Sequence, residues 1–323
     1  MLDIEQRVKI YNDTNNSFSK KLIYHVGSYA GFHSEVDAMM QCMLYCFKHE
    51  IKFILYADDA NFAGGNGWLE FFEPFCEMNH DNLNKRFNIR FYSNNPIIKT
   101  IEKIGTKILK SRNNVDYLTQ DIFRTAISKK TSTTEQIVWP DLGINGPTFT
   151  EFGKISDFAL RYNEKTKNEV SNIIDSLHLP EIFYSVQLRG GDKLGEKGAV
   201  NNINTVANRI KSYGGNIENL FVFSDDYRYV EQIEKLLPDT KIYTLCDKND
   251  SGYDNTKFNN TDWAYKRNKM LSLFAMIDIC FKSKIHFGNN TSCINNYISS
   301  IRSNNEVCNV WTKQDVEDTK SKI

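Results

Sequence analysis

Residues 185 to 198 read SVQLRGGDKLGEKG. An apolar run from Ile182 to Leu188 stops at Arg189, and Gly190, Gly191, Asp192 and Lys193 follow, with Glu196 three residues further on. Arginine offers a planar, permanently charged fork that suits phosphate oxygens. Paired glycines let backbone amides come close to a ligand. At a strand end these residues describe a pyrophosphate seat; the alternative is a tight turn with one surface arginine. The segment has neither the G-x-x-x-x-G-K-[ST] form of a Walker loop nor the G-x-G-x-x-G dinucleotide fingerprint. The loop also holds two carboxylates. Glu196 is the leading candidate for a general base and Asp192 the second, with Lys193 able to position either. A solvated loop carboxylate is the competing reading of Glu196.

The elements that must place this loop are legible in the second half of the chain. IFYSVQLR, LFVFS, KIYTL, KIHFG and EVCNVW read as strands. Between them NINTVANRIKSYG, DYRYVEQIEKLL, WAYKRNKMLSLFAMIDICFKS and SCINNYISSIRS read as helices. Short continuous apolar strands alternating with amphipathic helices imply a parallel sheet covered on both faces. Ligands of such sheets bind outside the carboxyl ends of the strands. In the first half, KKLIYHV and IKFILYA read as strands around a helix at 33–49, and FNIRFYS as a third strand. Helices are expected near 95–110, 116–129 and 148–178. The boundary is placed at Leu179-Pro180, which gives one α/β domain over 1–179 and a second, with the parallel sheet, over 180–323.

Composition narrows the class. The chain has 323 residues, 41% hydrophobic and 25% charged, with 40 basic and 40 acidic side chains and a formal net charge of zero. That fits about two domains and offers no overall field for nucleic acid. No apolar run reaches the ~18 residues of a membrane span, and the first residues lack the apolar centre of a signal peptide. Seven cysteines without C-x-x-C spacing imply free thiols in a reducing compartment, so a cytoplasmic protein is expected. Cys42 and Cys46 read as buried small hydrophobes.

Several other residues invite chemistry. Asp58-Asp59 could hold a metal, but an adjacent pair after a strand is also ordinary turn composition; no metal site is expected. His25 and His33 are placed to face a cleft, or to serve as structural hydrogen-bonders. The aromatics of WLEFFEPF could stack on sugars or pack a core. Arg267 could reach a ligand or sit on a solvated helix face. Asp226 reads as a helix cap and Asp225 as a ligand or loop residue.

VQLRGGDKLGEKGAV resembles the H-x-R-R-x-D-K-x-G motif of the fucosyltransferases, in particular the α1,6-fucosyltransferase family in its compact bacterial form. LIYHVGSYAGFHSEVDAMMQCMLYCF is similar to that family's glycine-containing N-terminal strand, loop and helix. NGWLEFFEPF looks like its G-W-x-x-x-F-x-P segment. ISDFALRYNEKTKNEVSNIIDSLHLP resembles the helical approach to the arginine motif, LFVFSDDYRYVEQIEKLLPDTKIYTL its second donor motif and HFGNNTSCINNYIS its third. The matches run in order over most of residues 21 to 300.

The resemblance implies a GT-B fold, two Rossmann-like domains facing across a cleft, with 1–179 the acceptor-side domain and 180–323 the nucleotide-sugar-binding domain. It implies GDP-fucose as donor substrate with no other cofactor, inversion at the sugar, no metal, and a glycan or glycoconjugate acceptor. By position, Arg189 matches the arginine on the donor β-phosphate, and Asp192 and Lys193 match the D-K pair. Asp225 and Asp226 match the paired aspartates of the second motif, and Asn290, Thr291 and Ser292 lie around the third. Gly191 completes the donor loop, and Gly31 and His33 belong to the N-terminal donor-side loop. Gln187 stands where the family has histidine, Gly190 where it has a second arginine, and Lys197 where it has its catalytic glutamate. These departures leave open another nucleotide-sugar donor, or a nucleotide-sugar or glycan-binding protein without catalysis.

Overall fold

The computed structural model describes residues 2–27, 30–128, 134–191, 202–214, 216–303, 305–312 and 314–315. The chain divides into two compact units, Met1–Asn163 and Glu164–Ile323.

In the first unit, helix α1 (Ile4–Ser17) opens on a capping box between Asp3 and Gln6. Strand β1 (Lys20–His25), helix α2 (Phe32–Lys48) and strand β2 (Ile51–Tyr56) follow. β1 is the middle strand of a parallel sheet, with β2 on one side and the two-residue β3 (Tyr117–Leu118) on the other. Helix α3 (Pro96–Asn113) closes one face of the sheet by packing Leu109 with Ile23, Ile54 and Tyr56. The segment FNIRFYS is not a strand. Asn88 occupies the edge that a strand there would use: its amide donates to the Ile23 carbonyl at 3.0 Å and accepts from the Thr119 amide at 2.8 Å. A short antiparallel hairpin, β4 (Gln136–Trp139) and β5 (Ile144–Pro147), completes the unit.

The expected helix over 148–178 is broken. Tyr162 bridges to Phe72, and Asn163 donates its amide to the Phe71 carbonyl, so the chain is extended there. Helix α4 (Glu164–Ser176) then starts the second unit, which moves the boundary ahead of the position read at Leu179-Pro180. An ion pair of Glu169 with Arg267 links α4 to the long helix α7 (Trp263–Lys282).

The second unit is built on five parallel strands: β6 (Tyr184–Leu188), β7 (Asn219–Ser224), β8 (Lys241–Tyr243), β9 (His286–Asn289) and β10 (Val307–Trp311). Their order is β10-β9-β6-β7-β8, so β6 is central. All five β6 residues are buried, as expected for a strand covered on both faces. Helices α5 (Ile203–Ser212), α6 (Tyr227–Leu236) and α8 (Cys293–Ile301) connect the strands. Val186, Leu188, Val206, Val222, Ile233 and Phe287 lie in the core that α5 and α6 share with the sheet. Among the described residues no helix is long and apolar enough to cross a membrane.

Candidate functional site

Because β6, β7 and β9 are neighbours and parallel, their carboxyl ends open on one edge. The chain leaves β6 at Arg189, β7 at Asp225 and β9 at Asn290. Arg189 donates to the Asp225 carboxylate at 2.6 Å, with both side chains about one-fifth exposed. The same carboxylate accepts the amides of Gly190 at 2.8 Å and Tyr253 at 3.1 Å. Asp225 therefore gathers three donors and fixes where the arginine points. The Arg189 guanidinium lies 5.3 Å from the centre of the Tyr253 ring, within cation–π range.

Gly191 and Gly252 explain how the two loops come so close. Gly191 has φ +64°, and a Cβ there would stand 2.1 Å from the Tyr253 carbonyl oxygen. Gly252 has φ +105°, and its Cβ would stand 2.3 Å from the Gly191 backbone. The glycines after Arg189 thus serve an internal loop crossing, and the Gly190 amide is already bonded to Asp225.

Asp226 has a different task from its neighbour. It caps α6, accepting the Arg228 amide at 3.1 Å, and its carboxylate pairs with the Arg228 side chain. The hydrogen bonds and charge of Arg228 hold its carboxyl below the ordinary range.

On the other side of β6, Gln187 is buried and donates to the Ser292 hydroxyl at 3.0 Å. Its carbonyl oxygen has no hydrogen-bond partner among the described residues. Ser292 is the N-cap residue of α8 and makes no side-chain cap bond. Asn290 donates its amide to the Trp311 carbonyl, and Thr291 is held by Asn289, which accepts its amide at 2.9 Å and its hydroxyl at 2.6 Å. The edge thus presents a guanidinium on one side and a helix N-terminus on the other, two groups suited to an anion. Asp192, Lys193 and Glu196 lie outside the described residues.

The first unit holds the remaining positions. Gly31 is the N-cap residue of α2, and His33 is buried in its first turn, 3.9 Å from Asp37. Burial raises the Asp37 carboxyl. Glu35 is fully buried and accepts the amides of Gly27 and Ala30, both at 2.7 Å, and a bond from Arg90 at 2.5 Å. That set of bonds ties Gly27 and Ala30 to α2. His25 bonds Asp59 at 2.9 Å, whereas Asp58 bonds His80; the two aspartates turn to different histidines. Trp68, Phe71, Phe72 and Phe75 are core residues. Arg267 is engaged with Glu169. Sequence reasoning missed Tyr253 and Gly252; the turn-forming run DSGYDN (250–255) was the available signal.

No protein-family model matches the sequence, and no curated protein matches it. Solved structures do. The fucosyltransferase NodZ from Bradyrhizobium, in selenomethionine form, superposes with a TM-score of 0.50 at 11% identity, covering 86% of this chain and 91% of that one. The fold is GT-B. NodZ α1,6-fucosyltransferase soaked with GDP-fucose gives a TM-score of 0.48 at 10% identity over 87% of this chain and 92% of that one. POFUT1 in complex with GDP-fucose gives 0.47 at 10% identity over 91% and 96%. At 11% identity or below, what is shared is the path of the backbone. In the GT-B fold found here, Arg189, Asp225 and the start of α8 all lie at the carboxyl edge of the second unit's sheet.

Proposed function

We propose that the chain is a cytoplasmic glycosyltransferase that moves fucose from GDP-fucose to a glycan hydroxyl, inverting the sugar and using no metal, in the manner of the α1,6-fucosyltransferases. The observation that carries this reading is the carboxyl edge of the second sheet, where Asp225 aims Arg189 and α8 presents its N-terminus. The resemblance of residues 185–198 to the fucosyltransferase arginine motif supports the choice of donor.

The chemistry assigned to these residues is brief. As the bond from the sugar to the diphosphate breaks, negative charge grows on the leaving GDP. Arg189 and the amides opening α8 neutralise it. The acceptor hydroxyl gives its proton to a carboxylate, Glu196 first and Asp192 second, as it attacks the anomeric carbon from the opposite face. The acceptor's contacts are assigned to the first unit.

One observation favours a second reading. Gln187 stands where the family has histidine, and its buried carbonyl oxygen is unpartnered among the described residues. A donor group that Gln187 recognises in place of histidine would belong to a different nucleotide sugar.

The test is release of GDP from GDP-fucose against a panel of glycan acceptors, with excess chelator present. Acceptor-dependent release in chelator is expected. Turnover that stops in chelator and returns with Mg²⁺ or Mn²⁺ rejects the metal-free reaction, and release from another nucleotide sugar alone selects the second reading. Glu196→Gln should bind donor normally but turn over ~10²–10⁴-fold more slowly, the usual worth of a general base. Wild-type turnover in Glu196→Gln, with Asp192→Asn inactive yet binding donor, would exchange their roles.

A further inference from the structure

Helix α3 leaves an apolar face uncovered. Ile97, Ile98, Ile101, Ile104 and Ile108 are between 45% and 73% exposed. Ile97, Ile101, Ile104 and Ile108 recur at three- and four-residue steps, which sets them in one row along the helix. The row is about 16 Å long at 1.5 Å per residue. The helix itself is firmly built: Asn95 caps it through the amides of Ile97 and Ile98, Pro96 starts it, and Asn114 ends it in the left-handed conformation. Gly105, Thr106 and Leu109 form its buried side.

The charges beside the row have one sign. The helix carries Lys99, Lys103, Lys107, Lys110 and Arg112 against the single carboxylate Glu102, in a chain whose net charge is zero. Lys110 pairs with Asp121 and Arg112 with Asp81. Lys99, Lys103 and Lys107 are exposed and form no ion pair among the described residues. The short helical turn Asn84–Phe87, which fits Phe87 against Gly105, adds exposed Lys85 and Arg86.

We propose that α3 lies on an anionic lipid bilayer, with its isoleucine row in the acyl boundary and its lysines on the headgroups. A basic amphipathic helix gains from both contacts at once. Pairing with a second copy of the same helix would set unpaired lysines against lysines. A protein partner is disfavoured because the row lacks the aromatic and arginine anchors that dominate such interfaces. The isoleucine row and the lysines run along one helix, so the contact is in the plane of the surface.

The test is co-sedimentation of the full chain with phosphatidylcholine vesicles, with and without phosphatidylglycerol. Binding to the anionic vesicles, weakened by salt, is expected. Ile101→Glu with Ile104→Glu should lower that affinity at least ~10-fold, and so should the triple variant Lys99→Glu, Lys103→Glu, Lys107→Glu. The melting temperature of each variant should match the wild type, because all five positions are exposed. Absence of wild-type binding, or equal binding by folded variants, overturns the proposal. So does self-association that the isoleucine variant abolishes while vesicles bind neither protein. None of these outcomes depends on the reading of the donor site.

Discussion

Gly191, just after β6, has no room for a side chain. Its φ of +64° and the Tyr253 backbone leave no place for a Cβ. Gly191→Ala should destabilise the protein by roughly 2–4 kcal/mol, from left-handed strain and a clash that only loop displacement relieves, as read in a urea melt. A wild-type midpoint would refute the crossing of the two loops. The position of Arg189 at a strand end was legible, because the apolar run Ile182 to Leu188 stops there. The division of labour between the aspartates was partly legible. Asp226 precedes a helix and caps it, but the three donors on Asp225 come from residues 28 to 36 positions away. Tyr253 was invisible for the same reason. The buried pair of Glu35 and Arg90 was not legible either: nothing local in the sequence announces that they will meet.

The strands and helices of the second unit could be read because the inner strands β6, β7 and β9 are buried on both faces and α5, α6 and α8 each have one apolar side. The first unit broke that rule. FNIRFYS alternates well enough for a strand, yet Asn88 fills the sheet edge with its side chain, and β3 has only two residues. A buried histidine gives the elements of the second unit a test of their own. His286, at the start of β9, bonds the Ser185 hydroxyl of β6 at 2.8 Å. Burial, with the Arg302 charge adding to it, pushes its imidazole down to about 3. The unfolded chain takes up a proton below ~6.5, while the folded chain does not. The stability from neutral His286 is therefore full above pH 6.5 and is lost as pH falls toward 3. Between pH 7 and ~5.5 the wild type should lose about 1 kcal/mol more than His286→Asn in urea unfolding. Equal losses would place His286 in contact with water.

At the scale of the molecule, a zero net charge and two α/β units were legible from composition and from the alternation of strands and helices. The point of division was not, because the polar helix α4 reads as the end of one unit and is held by Arg267 to the other. The proposed function requires the second unit to bind a nucleoside diphosphate at the carboxyl edge of its sheet through Arg189. Calorimetric titration of GDP into the wild type and Arg189→Ala tests it most directly. Arg189 is a strand-end residue outside the apolar core, so the variant should fold, with a melting temperature lowered by the loss of the Asp225 ion pair. GDP should bind the wild type and lose about 2–5 kcal/mol in the variant, roughly 30-fold or more in Kd. Equal GDP affinity in the two folded proteins, or no binding of GDP by the wild type, would contradict the account.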